Sequence, residues 1–336
     1  MKILITGGGG FLGFRLAKTL LARGQLGGKP ITALTLLDGA FPSELKDLNK
    51  ESVIAVTGDV SNADTLASVC TPDTGAVFHL AAVVSGAAEA DFDLGMRVNL
   101  KGMELLLARI RRCAKPPRLV YTSSVAAFGG ELPAVLDDAT IANPQTSYGA
   151  QKVIGEYLIT DYSRKGFIDG RSLRLPTIVV RAGKPNAAAS SFASGIIREP
   201  LNGVVSECPV APETGVWLLS PGKVVEAFIH AWELPPEAWG TQRWLNLPGI
   251  TASVAEMVAA LHKVAGAAVA QRVLYKADAR IQAIVKTWPV NFRTPRALAM
   301  GFRPDPDVAS VIRDYIADEN IRISEQGNPG SPVTPS

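Results

Sequence analysis

The chain has 336 residues, 47% of them hydrophobic, which is long for one compact core and predicts a large domain carrying a smaller one. Its 34 basic and 31 acidic residues are well mixed and leave a formal charge of +3, which argues against a nucleic-acid partner or a membrane surface and favours small-molecule chemistry. Cysteines at 70, 113 and 208 and histidines at 79, 230 and 262 share no metal-ligand or redox spacing, and no apolar run suits a signal peptide or a membrane span, so a metal-free cytoplasmic enzyme with reduced thiols is expected.

Residues 2–6 form a short apolar, β-branched run, residues 7–10 are four glycines, and residues 11–21 carry apolar side chains at helical spacing. Strand, glycine turn and helix in that order make a phosphate cradle: glycines allow the tight turn, their N–H groups can approach a pyrophosphate, and a helix N-terminus points at its charge. Gly8, Gly10 and Gly13 fit G-x-G-x-x-G, whereas Gly7, Gly10 and Gly13 fit T-G-x-x-G-x-x-G, and the position of the strand favours the second. A second strand at 31–37 leads to Asp38, where a carboxylate can accept hydrogen bonds from an adenosine ribose and repel a 2′-phosphate, selecting NAD; an ordinary turn residue has the same chemistry. A third strand at 53–56 leads to Asp59, suited either to an adenine amino group or to capping the helix that starts near Ala63.

Residues 76–80 make a fourth strand with His79 as a core residue, followed by the small side chains of residues 81–86, which leave room for a dinucleotide. A long helix is predicted over 92–113, with Asn99 at the core boundary, and a fifth strand at 119–122 ends at Ser123 and Ser124, where open α/β sheets bind ligands. Tyr148 and Lys152 stand four apart, so a helix projects both from one face. An ammonium beside a phenol favours the phenolate, so a lowered Tyr148 pKa and a base working near neutral pH are expected.

Six motifs in order, TGGGGFLG at 6–13, GDV at 58–60, HLAA at 79–82, VNLKG at 98–102, TSSVAAFGG at 122–130 and YGAQK at 148–152, resemble the extended short-chain dehydrogenase/reductase family. Residues 1–321, especially HLAAVVSGAAEADFDLG, PQTSYGAQK and LRLPTIVVRAGKPNAAASSFASGIIREPL, are similar to its bacterial D-erythronate dehydrogenase branch. The resemblance implies a Rossmann-type doubly wound parallel sheet at 1–180, rejoined by 217–235. It further implies a smaller, discontinuous α/β substrate domain at 181–216 and 236–324, while the composition of 325–336 suits a disordered tail. It makes Tyr148 the base or acid, Lys152 its neighbour and ribose ligand, and Ser124 the hydroxyl on the reacting oxygen, with Phe128 in place of the family's tyrosine. It places Gly7, Gly10, Phe11, Leu12 and Gly13 at the NAD pyrophosphate, Asp38 at the ribose and Asp59 and Val60 at the adenine. Leu80, Ala81, Ala82 and Asn99 fall at the middle of the cofactor and Pro176 and Thr177 near the nicotinamide. Helices containing Asn99 and Tyr148 form a homodimer in that family, and the run Leu105, Leu106, Leu107 is more apolar than one face requires.

Beyond residue 180, Ser220 with Pro221 reads as an N-cap and first-turn proline, and Ser253 with Glu256 as a capping box. Arg181, Lys184, Asn186 and Arg198 are candidate anion donors, and Ser85, Ser123, Ser124 and Tyr148 candidate hydroxyl partners. The leading expectation is NAD-dependent oxidation of the C2 hydroxyl of a small anionic sugar acid, D-erythronate. Alternatives are a nucleotide-sugar epimerase with retained NAD and a non-catalytic NAD sensor. A dehydratase is disfavoured because Val125 and Ala126 follow Ser124 where that branch needs acids.

Overall fold

The computed structural model describes residues 1–48, 51–183 and 190–323. Asn186, Lys184 and the expected tail at 325–336 lie outside the described residues. The central sheet contains β1 (Lys2–Thr6), β2 (Ala33–Asp38), β3 (Val53–Thr57), β4 (Thr74–His79), β5 (Arg118–Ser124), β6 (Asp169–Leu175) and β10 (Trp244–Asn246). All its neighbours pair in parallel, in the spatial order β10-β6-β5-β4-β1-β2-β3. The order reverses between β1 and β4, which opens a crevice at their carboxyl ends. The bounds of β1 to β5 fall within two residues of the sequence expectation, whereas β10 was not expected.

Both faces of the sheet are covered, and the alternation of side chains along each strand divides the core in two. Ile3, Ile5, Leu34, Leu36 and Phe78 pack towards α1 (Phe11–Arg23) and α7 (Pro221–Glu233). Leu4, Leu37, Val77, Leu119 and Tyr121 pack towards α2 (Ala63–Val69), α4 (Gly102–Ile110) and α5 (Ser147–Arg164). A further cluster gathers Val179, Ile196, Cys208, Val216, Met257 and Ile312. Here β7 (Thr177–Ile178), β9 (Gly215–Leu219) and β11 (Ile250–Ser253) form a small mixed sheet, and β8 (Ser206–Cys208) pairs with β12 (Val273–Tyr275). Helix α6 (Ser191–Leu201), α8 (Val254–Ala265) and α9 (Val308–Asp318) cover it. The Ser220 cap with Pro221 and the Ser253–Glu256 capping box form as the sequence reading expects.

The predicted helix at 92–113 is not continuous. It begins as a single turn at Phe92–Gly95, widens into a π-helical segment at Met96–Lys101 and resumes as α4. Asn99 lies in the wide turn and is buried, with its carbonyl accepting from the Val83 N–H at 2.7 Å and its amide donating to the Val83 carbonyl and to Gln151 Oε1. Such π-turns recur at functional sites, where one inserted residue re-aims a side chain.

Beneath the carboxyl ends of β5 and β6 lies a buried ion pair. Glu156 of α5 accepts from Arg174 Nε at 2.8 Å and Nη2 at 2.7 Å and from the Ser123 hydroxyl at 2.5 Å. The Arg174 guanidinium also stacks on Trp244, 4.0 Å from the ring centre. Removing one member of such a pair leaves an uncompensated charge in low dielectric. Glu156→Ala is therefore expected to lower the unfolding free energy by about 3–5 kcal/mol, read as a lower urea midpoint, whereas an unchanged midpoint would show that water already shields Arg174.

Candidate active site

The turn after β1 is held against the sheet rather than left free. Gly7 and Gly8 donate to the Leu37 carbonyl at 2.8 and 3.1 Å, and Gly7 has φ +74° with its Cα against the Ala81 backbone, where a Cβ would lie 2.6 Å from Ala81 N. Asp38 Oδ2 accepts from Gly9 N at 3.0 Å and Gly10 N at 3.1 Å. The acid therefore fixes the loop's shape while standing at the carboxyl end of β2. Helix α1 starts at Phe11 with no side-chain cap and no acid in its first turn, so its N-terminal dipole is available to an external anion.

The residues expected to handle the proton meet where α5 lies on β5. Thr146 caps α5 by accepting from Gly149 N at 3.1 Å, and this sets Tyr148 in the first turn. Gly149 lets the turn lie on the chain after β5, since a Cβ there would fall 2.2 Å from the Ala126 carbonyl oxygen. One turn on, Lys152 is buried and donates from Nζ to the Thr122 carbonyl at 2.7 Å, with Nζ 4.8 Å from the Tyr121 ring centre and 5.4 Å from that of Tyr148. Ser124 Oγ accepts from Ala126 N at 3.1 Å, which fixes the hydroxyl beside Tyr148.

The electrostatics depart from the expectation that the ammonium lowers the phenol. Burial pushes Tyr148 up to about 12, outweighing Ser124 and Arg181, which favour the phenolate. Burial likewise lowers Lys152 to about 7, with Glu156 opposing. Desolvation therefore wins over the attraction between the pair, and the amine rather than the phenol is the group brought near neutrality. His79 is a core residue, held at 2.6 Å to the Thr6 hydroxyl and pushed down to about 3 by burial and then by Lys152.

Arg181 enters from the segment after β7. It is half-buried, bonds the Ser190 hydroxyl at 2.8 Å and lies close enough to Tyr148 for each to shift the other. Among the described residues it has no carboxylate in ion-pair range, whereas the neighbouring Arg198 is paired with Glu199 at 2.6 Å. Ser85 opens α3 (Ser85–Ala90) in the chain after β4, and Pro176 and Thr177 follow β6 at the same edge as Ser124.

Several expected contacts take other forms. Ser123, read as a substrate hydroxyl partner, is buried and gives its proton to Glu156, whereas Ser124, at the end of β5, lies beside Tyr148. Asn99 spends both amide hydrogens on Val83 and Gln151 and so acts by holding the Val83 peptide. Asp59 does not cap α2; it accepts from the Ser61 N–H and hydroxyl, and Asn62 is the cap. Glu156 was missed, although its place one turn beyond Lys152 on the face of Tyr148 is visible in the sequence. Gln151, which is buried and holds Asn99, carries no such signal.

Residues 3–233 match the NAD dependent epimerase/dehydratase family. The chain belongs to that family. It is 56% identical over 325 residues to D-erythronate dehydrogenase of Cupriavidus necator, covering 96% of this chain and 99% of that protein. To D-erythronate dehydrogenase of Haemophilus influenzae it is 44% identical over 316 residues, covering 94% and 99%. A solved nucleoside-diphosphate-sugar epimerase from Agrobacterium tumefaciens is 39% identical with a TM-score of 0.88, covering 95% of this chain and 94% of that one.

NAD is the cofactor of this family member, and the residues present fit it. The uncapped start of α1, the side-chain-free surface of Gly9 and Gly10 and the Asp38 carboxylate at the end of β2 together supply an anion cradle and an acceptor for hydroxyls. Below about pH 7 the Tyr148–Lys152 pair holds two protons, and above it one; only the one-proton form has room for the proton leaving a substrate hydroxyl. Oxidation should therefore show kcat/KM rising about tenfold per pH unit below 7 and levelling above it. In Lys152→Met that limb should vanish, leaving slow turnover near neutrality, and an unchanged limb would take Lys152 out of the proton balance.

Proposed function

We propose that the protein oxidises the C2 hydroxyl of D-erythronate to 2-dehydro-D-erythronate. The reading rests on its end-to-end similarity to two D-erythronate dehydrogenases. NAD, when bound, accepts the hydride. Tyr148 takes the hydroxyl proton, Lys152 adjusts the charge of the pair and Ser124 hydrogen-bonds the reacting oxygen. Arg181, a partly desolvated cation whose guanidinium bonds the neutral Ser190 hydroxyl, holds the substrate carboxylate. Ser85 lies near the remaining hydroxyls. The core cluster of buried residues running from Val179 to Tyr315 supports assigning that part of the chain to substrate binding. Nucleotide-sugar epimerisation is not favoured, since the relatives 56% and 44% identical over nearly the whole chain are named D-erythronate dehydrogenases, and NAD sensing without catalysis is not favoured, since Ser124, Tyr148 and Lys152 stand together.

The deciding experiment is NADH absorbance across four- and five-carbon aldonates beside nucleotide sugars, with signal expected from D-erythronate. Arg181→Ala should raise KM for the aldonate about ten- to a hundredfold, the cost of a lost charged hydrogen bond, with a much smaller change in kcat. No NADH from erythronate with turnover of a nucleotide sugar would overturn the substrate. An unchanged KM would move the anion site away from Arg181.

Among the described residues no helix is long and apolar enough to cross a membrane, and the unbridged cysteines support a cytoplasmic setting. A homodimer built on α5 and the segment holding Asn99 is supported by Tyr157, 67% exposed, Phe92, 58% exposed, and Ile154 beside them. Leu106 and Leu107 do not contribute, being buried in the protein's own core with Leu105 packed against it. Light scattering at micromolar concentration should give a dimer, and Tyr157→Glu a monomer; a native monomer contradicts the interface.

A further inference from the structure

Spacing in the sequence separates Cys70 from Cys113, but the fold brings them together. Cys70 ends α2 and Cys113 follows α4, and the two stretches run side by side: Ala114 N donates to the Pro72 carbonyl at 2.8 Å, and Cys113 Sγ lies 3.6 Å from the Thr71 carbonyl oxygen. The two thiols are near enough for each to shift the other's titration, and both belong to the same core region. Arg109 clamps the Cys70 carbonyl through Nε at 2.9 Å and Nη2 at 2.6 Å, so the pair is held by a built network. Cys70 is buried, Cys113 is half-buried, and Cys208 lies buried in another cluster.

We propose that Cys70 and Cys113 are a reversible dithiol/disulfide site, oxidised by a peroxide that enters at Cys113. The pair readily holds one negative charge, which rests on Cys70: the Cys113 thiol, Thr74 and Arg109 stabilise its thiolate, bringing it to about 7, while the interaction with Cys70 and then burial push the Cys113 thiol up. When the shared proton moves onto Cys70, the outer sulfur carries the charge and attacks the peroxide. Its S–O bond forms, the O–O bond breaks and hydroxide leaves, giving a sulfenic acid on Cys113. The Cys70 sulfur then attacks Cys113, the S–S bond forms, and the S–O bond breaks as the Cys70 proton departs with the hydroxyl as water. Two thiols are oxidised and one peroxide is reduced; with a proton taken up for the hydroxide, two waters result. Neither cysteine belongs to the proton-handling site, so the reaction is separate from the dehydrogenase chemistry.

The test treats the full-length native protein with a small excess of hydrogen peroxide, blocks remaining thiols with iodoacetamide under denaturing conditions and maps the digest by mass spectrometry. The expected product is a Cys70–Cys113 cross-linked peptide, two hydrogens lighter than the thiol pair, restored by dithiothreitol, with Cys208 alkylated throughout. Both cysteines fully alkylated, or each carried separately to sulfinic acid, overturns the proposal. In Cys113→Ser, Cys70 should remain reduced at the same peroxide dose. Oxidation of Cys70 there at the native rate would overturn entry through Cys113.

Discussion

The contact of α5 with β5 is the constraint on which the site depends. Lys152 gives a hydrogen bond to the Thr122 carbonyl, and Glu156, one turn on, takes the Ser123 hydroxyl and Arg174. Two successive turns of one helix are thereby tied to two successive residues of one strand, and the next residue, Ser124, is left facing Tyr148. The helix can approach so closely because Gly149 and Gly155 present no side chain to Ala126 and Tyr121. A buried ion pair contributes little net stability against an apolar replacement. Its use here is register: it fixes which residue of β5 lies above the helix and which below.

The sheet was legible in the sequence because its signals are local. Apolar runs mark β1 to β5, the first three ending at glycine or aspartate, and the glycine turn after β1 requires backbone that only glycine supplies. Caps at Ser220 and Ser253 were legible for the same reason, since a side chain reaching its own third neighbour needs no distant partner. What escaped depends on partners far along the chain. The π-turn at Asn99 exists beside Val83 and Gln151, the pairing of Ser123 with Glu156 spans 33 residues, and nothing near Cys70 announces Cys113.

The missed direction of the Tyr148 shift has a physical lesson. Proximity to an ammonium favours the phenolate, but that proximity brings burial with it. The same packing that brings Lys152 under Tyr148 strips water from both, and desolvation disfavours the charged form of each. A phenolate and an ammonium buried together support one another only once a proton has left the pair. The pair therefore stores a vacancy for one proton near neutrality, which is what oxidation of an alcohol requires.

Under the proposed function, Arg181 connects this proton balance to the substrate. Its charge favours the Tyr148 phenolate, while Tyr148 in turn steadies the guanidinium against burial and the repulsion of Arg198. A substrate carboxylate seated at Arg181 cancels part of that positive field. The phenolate is then less stabilised and becomes the stronger base, at the moment when a C2 hydroxyl stands beside it. A neutral sugar of the same size leaves the field of Arg181 intact and Tyr148 the weaker base. On this reading Arg181 discriminates acids from neutral sugars through the basicity of Tyr148 as well as through direct attraction, so one cation sets both which molecule is held and how readily its proton is taken.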